Sequence, residues 1–195
     1  NDHIGAVAAL REGTVVRGAK ADSARLPPLD AAHGDGESFE FAGSSVDVMD
    51  VSGHTIGHIA FYVADADAAF TADSLMALGC GRVFEGTFPQ MWDSLSKLAA
   101  LPPETMIYSG HEYTTQNGRF ALSIDPDNKA LLDRVAAVKA ARDAGQPTVP
   151  SQLSEELATN PFLRAGLEHV KANLHMAGQS DAEVFAEIRR RKDSF

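Results

Sequence analysis

Cysteine is nearly absent from this chain: one thiol, Cys80, stands among 195 residues. That excludes an intrachain disulfide framework and fits a reducing, cytoplasmic compartment. Long apolar runs are missing too. None approaches the roughly 18 residues that a membrane span needs, and the first residues do not read as a secretory signal. Positive charge is in short supply, with 17 Lys and Arg against 27 Asp and Glu and a net charge of −10. Phosphate contacts need a basic surface, so nucleic acid is not the expected partner. The one local basic cluster, Arg189-Arg190-Arg191-Lys192, is the more informative for it. No internal repeat or low-complexity segment is present, and nothing calls for an obligate protein partner.

The remainder reads as an ordinary globular chain, 44% hydrophobic and 23% charged, long enough to bury a core in one or two domains. Two regimes divide it. Residues 1–113 mix short β-rich runs with glycine turns, and residues 114–195 read as successive helices. The chain opens abruptly, Asn1-Asp2-His3-Ile4-Gly5 leading at once into the apolar run Ala6 to Leu10. It reads as a sequence entered partway through a fold.

Local signals place the elements. Asp2 can cap a helix through Arg11, with Gly13 beyond its end. Thr14-Val15-Val16 reads as a short strand and residues 20–36, with Pro27 and Pro28, as a loop. Phe39 and Phe41, then Val46 to Val51, give strands separated by Gly43-Ser44, and Ile59 to Val63 with Ala69 to Thr71 a hairpin around Asp65-Ala66-Asp67. Thr87 before Phe88-Pro89 caps a helix to about Ala100. Met106-Ile107-Tyr108 is the last strand expected. Beyond it, Leu131, Leu132, Val135 and Val138 recur at helical spacing up to Gly145 and Pro147. Ser151 to Leu157 and Asn160 to about Leu174 are further helices, the latter capped by Asn160. Ser180 to Glu183 forms a capping box for the final one. The expected architecture is a mixed α/β layer structure followed by a helical domain.

Five residues able to hold a metal lie at turn-like positions: Asp2, His3, His54, Asp73 and His111. His54, Asp73 and His111 each follow a strand-like run beside a small residue, where α/β folds place ligands. Imidazole with carboxylate suits zinc, iron or manganese better than calcium. Singly, each has a plain structural reading as a hydrogen-bonded histidine, a turn aspartate or a cap, and the spacing alone does not establish a metal site. His58 reads as a supporting residue rather than a ligand. His33, His169 and His175 are expected at the surface, and Cys80, between two glycines, in a tight turn.

The motifs in their order change that weighing. Asn1-Asp2-His3-Ile4-Gly5 resembles the end of the T-H-x-H-x-D-H-x-G motif of the metallo-β-lactamase superfamily. Ser52-Gly53-His54-Thr55-Ile56-Gly57-His58, Thr71-Ala72-Asp73-Ser74-Leu75 and Gly110-His111-Glu112-Tyr113 follow in that superfamily's order. Gly79-Cys80-Gly81-Arg82-Val83-Phe84-Glu85-Gly86, Asn160-Pro161-Phe162-Leu163-Arg164 and Arg190-Arg191-Lys192-Asp193 are narrower, and resemble glyoxalase II, the hydroxyacylglutathione hydrolases. The likeness runs end to end.

The resemblance implies an α/β fold, a metallo-β-lactamase-like αβ/βα sandwich lacking its N-terminal part, followed by an all-α domain. It implies two divalent metal ions, zinc first, with iron or manganese as alternatives. His54 would serve one together with two histidines ahead of Asn1; Asp2, His3 and His111 would serve the other; and Asp73 would bridge them. A hydroxide shared by the two ions would attack the thioester of an S-(2-hydroxyacyl)glutathione, with Asp2 orienting it. Arg82, Phe84 through its backbone, Tyr113, Arg189 and Lys192 would hold the glutathione, while Arg190 and Arg191 stay solvated. Two departures stand out: the usual glycine and threonine around the bridging aspartate are Ala72 and Ser74, and Phe84 stands where tyrosine is frequent. The competing expectations are another enzyme of the same fold, a persulfide dioxygenase or a lactonase, and a truncated non-catalytic relative.

Overall fold

The computed structural model of the protein describes residues 2–195; Asn1 lies outside the described residues. In chain order the elements are α1 (Val7–Leu10), β1 (Arg17–Ala19), β2 (Ala31–His33), β3 (Ser38–Phe41), β4 (Ser44–Asp50), β5 (Ile59–Val63), β6 (Ala68–Ala72), β7 (Leu75–Met76), β8 (Gly79–Cys80), α2 (Phe88–Ala99), β9 (Met106–Ser109), α3 (Thr114–Ile124), α4 (Lys129–Asp143), β10 (Ser151–Gln152), α5 (Leu153–Thr159), α6 (Glu168–Asn173) and α7 (Asp181–Ser194). A six-stranded sheet in the order β10-β9-β6-β5-β4-β3 organises the molecule. Its neighbours are antiparallel except β6 and β9. Strands β4, β6 and β9 therefore run the same way, and their C-terminal ends share one edge. The fold is the α/β layer structure with a helical C-terminal part that the sequence implied.

One sheet face is apolar because small and branched residues alternate onto it. Ala60, Ala69 and Ile107 are buried there in one core with Met91, Leu95 and Leu98 of α2 and Val184, Phe185 and Ile188 of α7. Helix α2 starts where Thr87 accepts from the Gln90 amide in a full capping box, and Ser180 does the same for α7 with Glu183.

Several local expectations shift. Helix α1 is a single turn that starts after Ala6 without a side-chain cap, and Asp2 lies beside His111. The loop over 20–36 contains β2, parallel to β1, and the strand expected at 14–16 lies at 17–19. His33 is buried, not superficial: Arg17 and Glu37 flank its ring nitrogens and Phe39 stacks on it. His169 and His175 are exposed. Ser151 and Gln152 are not helical but form β10 against β9, so the helical half contributes an edge strand to the sheet. Asn160 ends α5 rather than opening a long helix; only Glu168–Asn173 is helical in the stretch that follows. Its amide is fully buried and bonds to the carbonyls of Met76 and Gly79.

Candidate metal centre

Three of the candidate ligands sit just past the C-terminal ends of the co-directional strands β4, β6 and β9: His54, Asp73 and His111. The Gly110 amide donates to the Ala72 carbonyl at 2.8 Å, which carries the β6–β9 pairing up to the site. His3, on the N-terminal turns, completes the group. The Nε2 atoms of His3, His54 and His111 lie 2.9, 3.4 and 3.5 Å from one oxygen, Asp73 Oδ2. Asp2 Oδ2 is 3.3 Å from His111 Nε2. The ligand atoms of Asp2, His3 and His111 all lie within 4.8 Å of one another.

The neighbourhood explains how these groups are aimed. His54 Nδ1 is 2.8 Å from the Arg82 carbonyl, which turns Nε2 towards Asp73. His58 stays out of the cluster and supports it, its Nε2 accepting the Asp73 backbone N–H at 3.0 Å. Burial, helped by the charge of His54, lowers His58 to about 4, so it is neutral and an acceptor. Burial would raise Asp73, yet the hydrogen bonds of His54 and His3 and the charges of His3 and His111 hold it at about 2. The hydrogen bond with Asp73 raises His54 against the effect of burial. Glycines make the crowding possible. A Cβ at Gly81 would overlap the Asp73 carbonyl, and one at Gly110 would lie 2.7 Å from both Asp73 Oδ1 and the His3 ring.

The donor set fits a metal ion. Three imidazoles and two carboxylates suit a divalent transition metal. Asp73 is 4% exposed, yet its Oδ1 is buried without a hydrogen-bond partner in the protein. Such an orphan acceptor inside a ring of ligating groups is what a bound cation would satisfy.

These five residues line a cleft of about 950 Å³. On one wall Tyr113 stacks on His111 with ring centres 5.2 Å apart, and the exposed Phe84 ring lies 5.1 Å from His54. Arg82 lies beside Asp193, 3.3 Å from its carboxylate. Lys192 reaches the cleft over the Phe120 and Phe195 rings, and burial with the charge of Arg189 lowers it to about 8. Arg189 is buried, its guanidinium bonded to the Cys80 carbonyl and to Asp193. Arg190 and Arg191 are exposed and pair with Glu187. Cys80 is buried and pushed up to about 11 by that burial, which makes it a poor nucleophile. Sequence reasoning missed Glu156 and Asn117 as supports of the loop behind Asp73 and took Asn160 for a helix cap; nothing local reveals these roles, because their partners are distant in the chain.

Comparison with known proteins bears on this geometry. Residues 1–111 match the family model of the metallo-beta-lactamase superfamily, the class of metal-dependent enzymes to which this fold and site correspond. Residues 112–195 match the model described as the hydroxyacylglutathione hydrolase C-terminus. A hydroxyacylglutathione hydrolase of Roseobacter denitrificans is 68% identical over 180 residues, 92% of this chain and 71% of the relative. Another, from Ruegeria pomeroyi, is 60% identical over all of this chain and 77% of its own length. The chain belongs to the hydroxyacylglutathione hydrolase family, a family of metallohydrolases that bind divalent metal. Among solved structures, ETHE1 from Myxococcus xanthus superposes with a TM-score of 0.61 at 26% identity, over 97% of this chain and 64% of that one. The BLEG-1 B3 metallo-beta-lactamase shares the fold, with a TM-score of 0.58 at 20% identity over 83% and 71% of the two chains.

Proposed function

We propose that this chain hydrolyses the thioester of an S-(2-hydroxyacyl)glutathione, such as S-D-lactoylglutathione, to glutathione and a 2-hydroxy acid. The observation that carries the reading is the convergence of three imidazole Nε2 atoms on Asp73 Oδ2 at the floor of a cleft walled by Arg82, Tyr113 and Lys192. The donor set is assigned to two divalent ions, most simply zinc: His54 and Asp73 on one, Asp2, His3, His111 and Asp73 on the other. When bound, such ions polarise the thioester carbonyl and lower the pKa of water towards neutrality.

The chain's own residues do the remaining work. Asp2, at the open side of the site, accepts a hydrogen bond from the attacking water and orients it. Asp73, ionised at any physiological pH, supplies the negative charge on which three imidazoles converge and which would help to hold the cations. The Lys192 ammonium and the Arg82 guanidinium bind the carboxylates of glutathione, and the Tyr113 hydroxyl and Phe84 backbone line the same wall. Arg189 supports this wall from beneath through the Cys80 carbonyl and Asp193. The thiolate is a good leaving group and departs without a dedicated protein acid. In this assignment residues 1–113 carry the chemistry and one substrate cation, Arg82, and residues 114–195 add the other, Lys192. The buried, unpaired Cys80 supports a reducing, cytoplasmic setting; no helix among the described residues is long and apolar enough to cross a membrane.

Loss of thioester absorbance with S-D-lactoylglutathione, before and after chelation and in Asp73→Asn, tests the reading. Hydrolysis that needs metal and Asp73 supports it. Hydrolysis indifferent to both sinks it, as would oxygen consumption on a glutathione persulfide with no thioester cleavage.

A further inference from the structure

The tight turn between β7 and β8 carries no chemistry, yet side chains of the helical half bond to its backbone at each residue. Asn160 Nδ2 donates to the carbonyls of Met76 and Gly79 at 3.2 and 3.0 Å. Asn117 Nδ2 donates to the Ala77 carbonyl at 3.0 Å. The Leu78 N–H donates to Glu156 Oε2 at 2.9 Å, at a fully buried residue whose φ is +56°, in the left-handed region. Glu156 is itself 0% exposed. Its other oxygen is bound by Arg134 and by the Ser151 hydroxyl, and Asn160 bridges back to Oε2 at 3.0 Å.

A buried ion pair is a poor device for stability alone, since apolar residues of similar volume serve as well. Here the carboxylate is used to hold one backbone amide in a strained conformation. The hairpin's two arms lead directly to the metal centre. Asp73 and Ser74 precede β7, and Gly81 and Arg82 follow β8, with the Gly81 amide bonded to the Ser74 carbonyl at 3.1 Å. One arm therefore sets the carboxylate on which the imidazoles converge, and the other sets the Arg82 carbonyl that aims His54. A shift of the tip moves both together.

We infer that Glu156, acting with Asn160 and Asn117, is a positioning residue for the metal centre, through which the helical half sets the placement of Asp73 and the orientation of His54. The inference rests on the assignment of those two residues as ligands. Partners behind metal ligands typically change metal affinity about 10–100-fold when removed.

The test is Co²⁺ titration of the 195-residue chain, followed by visible absorption, with Zn²⁺ calorimetry alongside. Glu156→Gln keeps the shape and removes the charge; its Co²⁺ affinity should fall at least about tenfold with a changed absorption envelope, while far-UV circular dichroism reports a folded chain. Asn117→Ala loses one tip bond, should shift both readouts less and in the same direction, and decides the matter if Glu156→Gln does not fold. Val184→Ala, in the apolar core and making no side-chain hydrogen bond to the hairpin, should lose stability but keep Co²⁺ affinity and spectrum. A folded Glu156→Gln or Asn117→Ala with parental affinity and spectrum overturns the inference. So does an equal loss in Val184→Ala, which would make the effect general destabilisation. Asp73→Asn separates the two levels: if it still binds Co²⁺ normally, the ligand assignment falls and this inference with it. If it binds none while the hairpin variants bind as the parent does, only the positioning role is lost.

Discussion

Substituting Gly110 by alanine should damage the metal centre far more than the fold. The new Cβ would stand 2.7 Å from Asp73 Oδ1 and 2.7 Å from His3 Cε1, where ordinary contact begins at 3.4 Å. Gly110 is not in the left-handed region, so the methyl brings no backbone strain of its own. Relief must come from the two side chains. Asp73 is nearly enclosed, whereas the His3 side chain is 42% exposed and can swing outward. The displacement therefore opens the 2.9 Å gap between His3 Nε2 and Asp73 Oδ2. Because the ring moves into solvent, the folding cost should lie near the low end of over-packing, about 1 kcal/mol, or a fall in Tm of about 2–4 °C without metal. Metal ligation tolerates only about 0.2 Å, so Zn²⁺ affinity should fall about 10–100-fold, roughly 1.4–2.8 kcal/mol. Calorimetric titration with Zn²⁺ beside thermal melts of the metal-free chain reads both quantities. A folded Gly110→Ala that binds Zn²⁺ like the parent would refute the placement of His3 and Asp73 on a common ion.

Ala72, beside Asp73, has φ +45°, a conformation that costs an L-residue about 1–2 kcal/mol. Ala72→Gly should stabilise the chain by about 1 kcal/mol after allowing for the looser unfolded state, and a Tm that fails to rise would count against this strain. Lys192 loses its proton at about 8 because of burial and then Arg189, below the value of an unfolded lysine near 10.4. Between those values the unfolded chain holds more protons, so this group makes stability rise with pH, and the rise is complete above the unfolded value. Denaturant melts across that window should show the rise in the parent and its loss in Lys192→Met; identical profiles would mean that the lysine is not perturbed. The same deprotonation should raise KM for a glutathione thioester above about pH 8, and Lys192→Arg, charged throughout, should abolish that increase.

What the sequence determined by itself is local. The boxes at Thr87–Gln90 and Ser180–Glu183 join residues three positions apart, so the signal and the structure it produces lie in one stretch of chain. Candidate ligands following strand ends were legible for the same reason, and the order of the motifs identified the family. Tertiary packing decided the rest. In α4 the apolar spacing marks Leu132 as buried, but it is 47% exposed while Arg134 is buried, because the charge that Arg134 meets is Glu156 on α5. Helix α3 has little apolar rhythm, since Asn117 and Gly118 are among its buried residues and Asn117 faces a carbonyl 40 positions away. Asn160, a plausible helix cap by sequence, instead bonds to carbonyls more than 80 positions distant. A capping signal cannot reveal which remote backbone will compete for the same amide. The metal centre combines both kinds of information. Its residue types and order are written in the chain, but the convergence of His54 and His111 on one oxygen of Asp73 exists only because β4, β6 and β9 point the same way and end at one edge, where the N-terminal turns bring in His3.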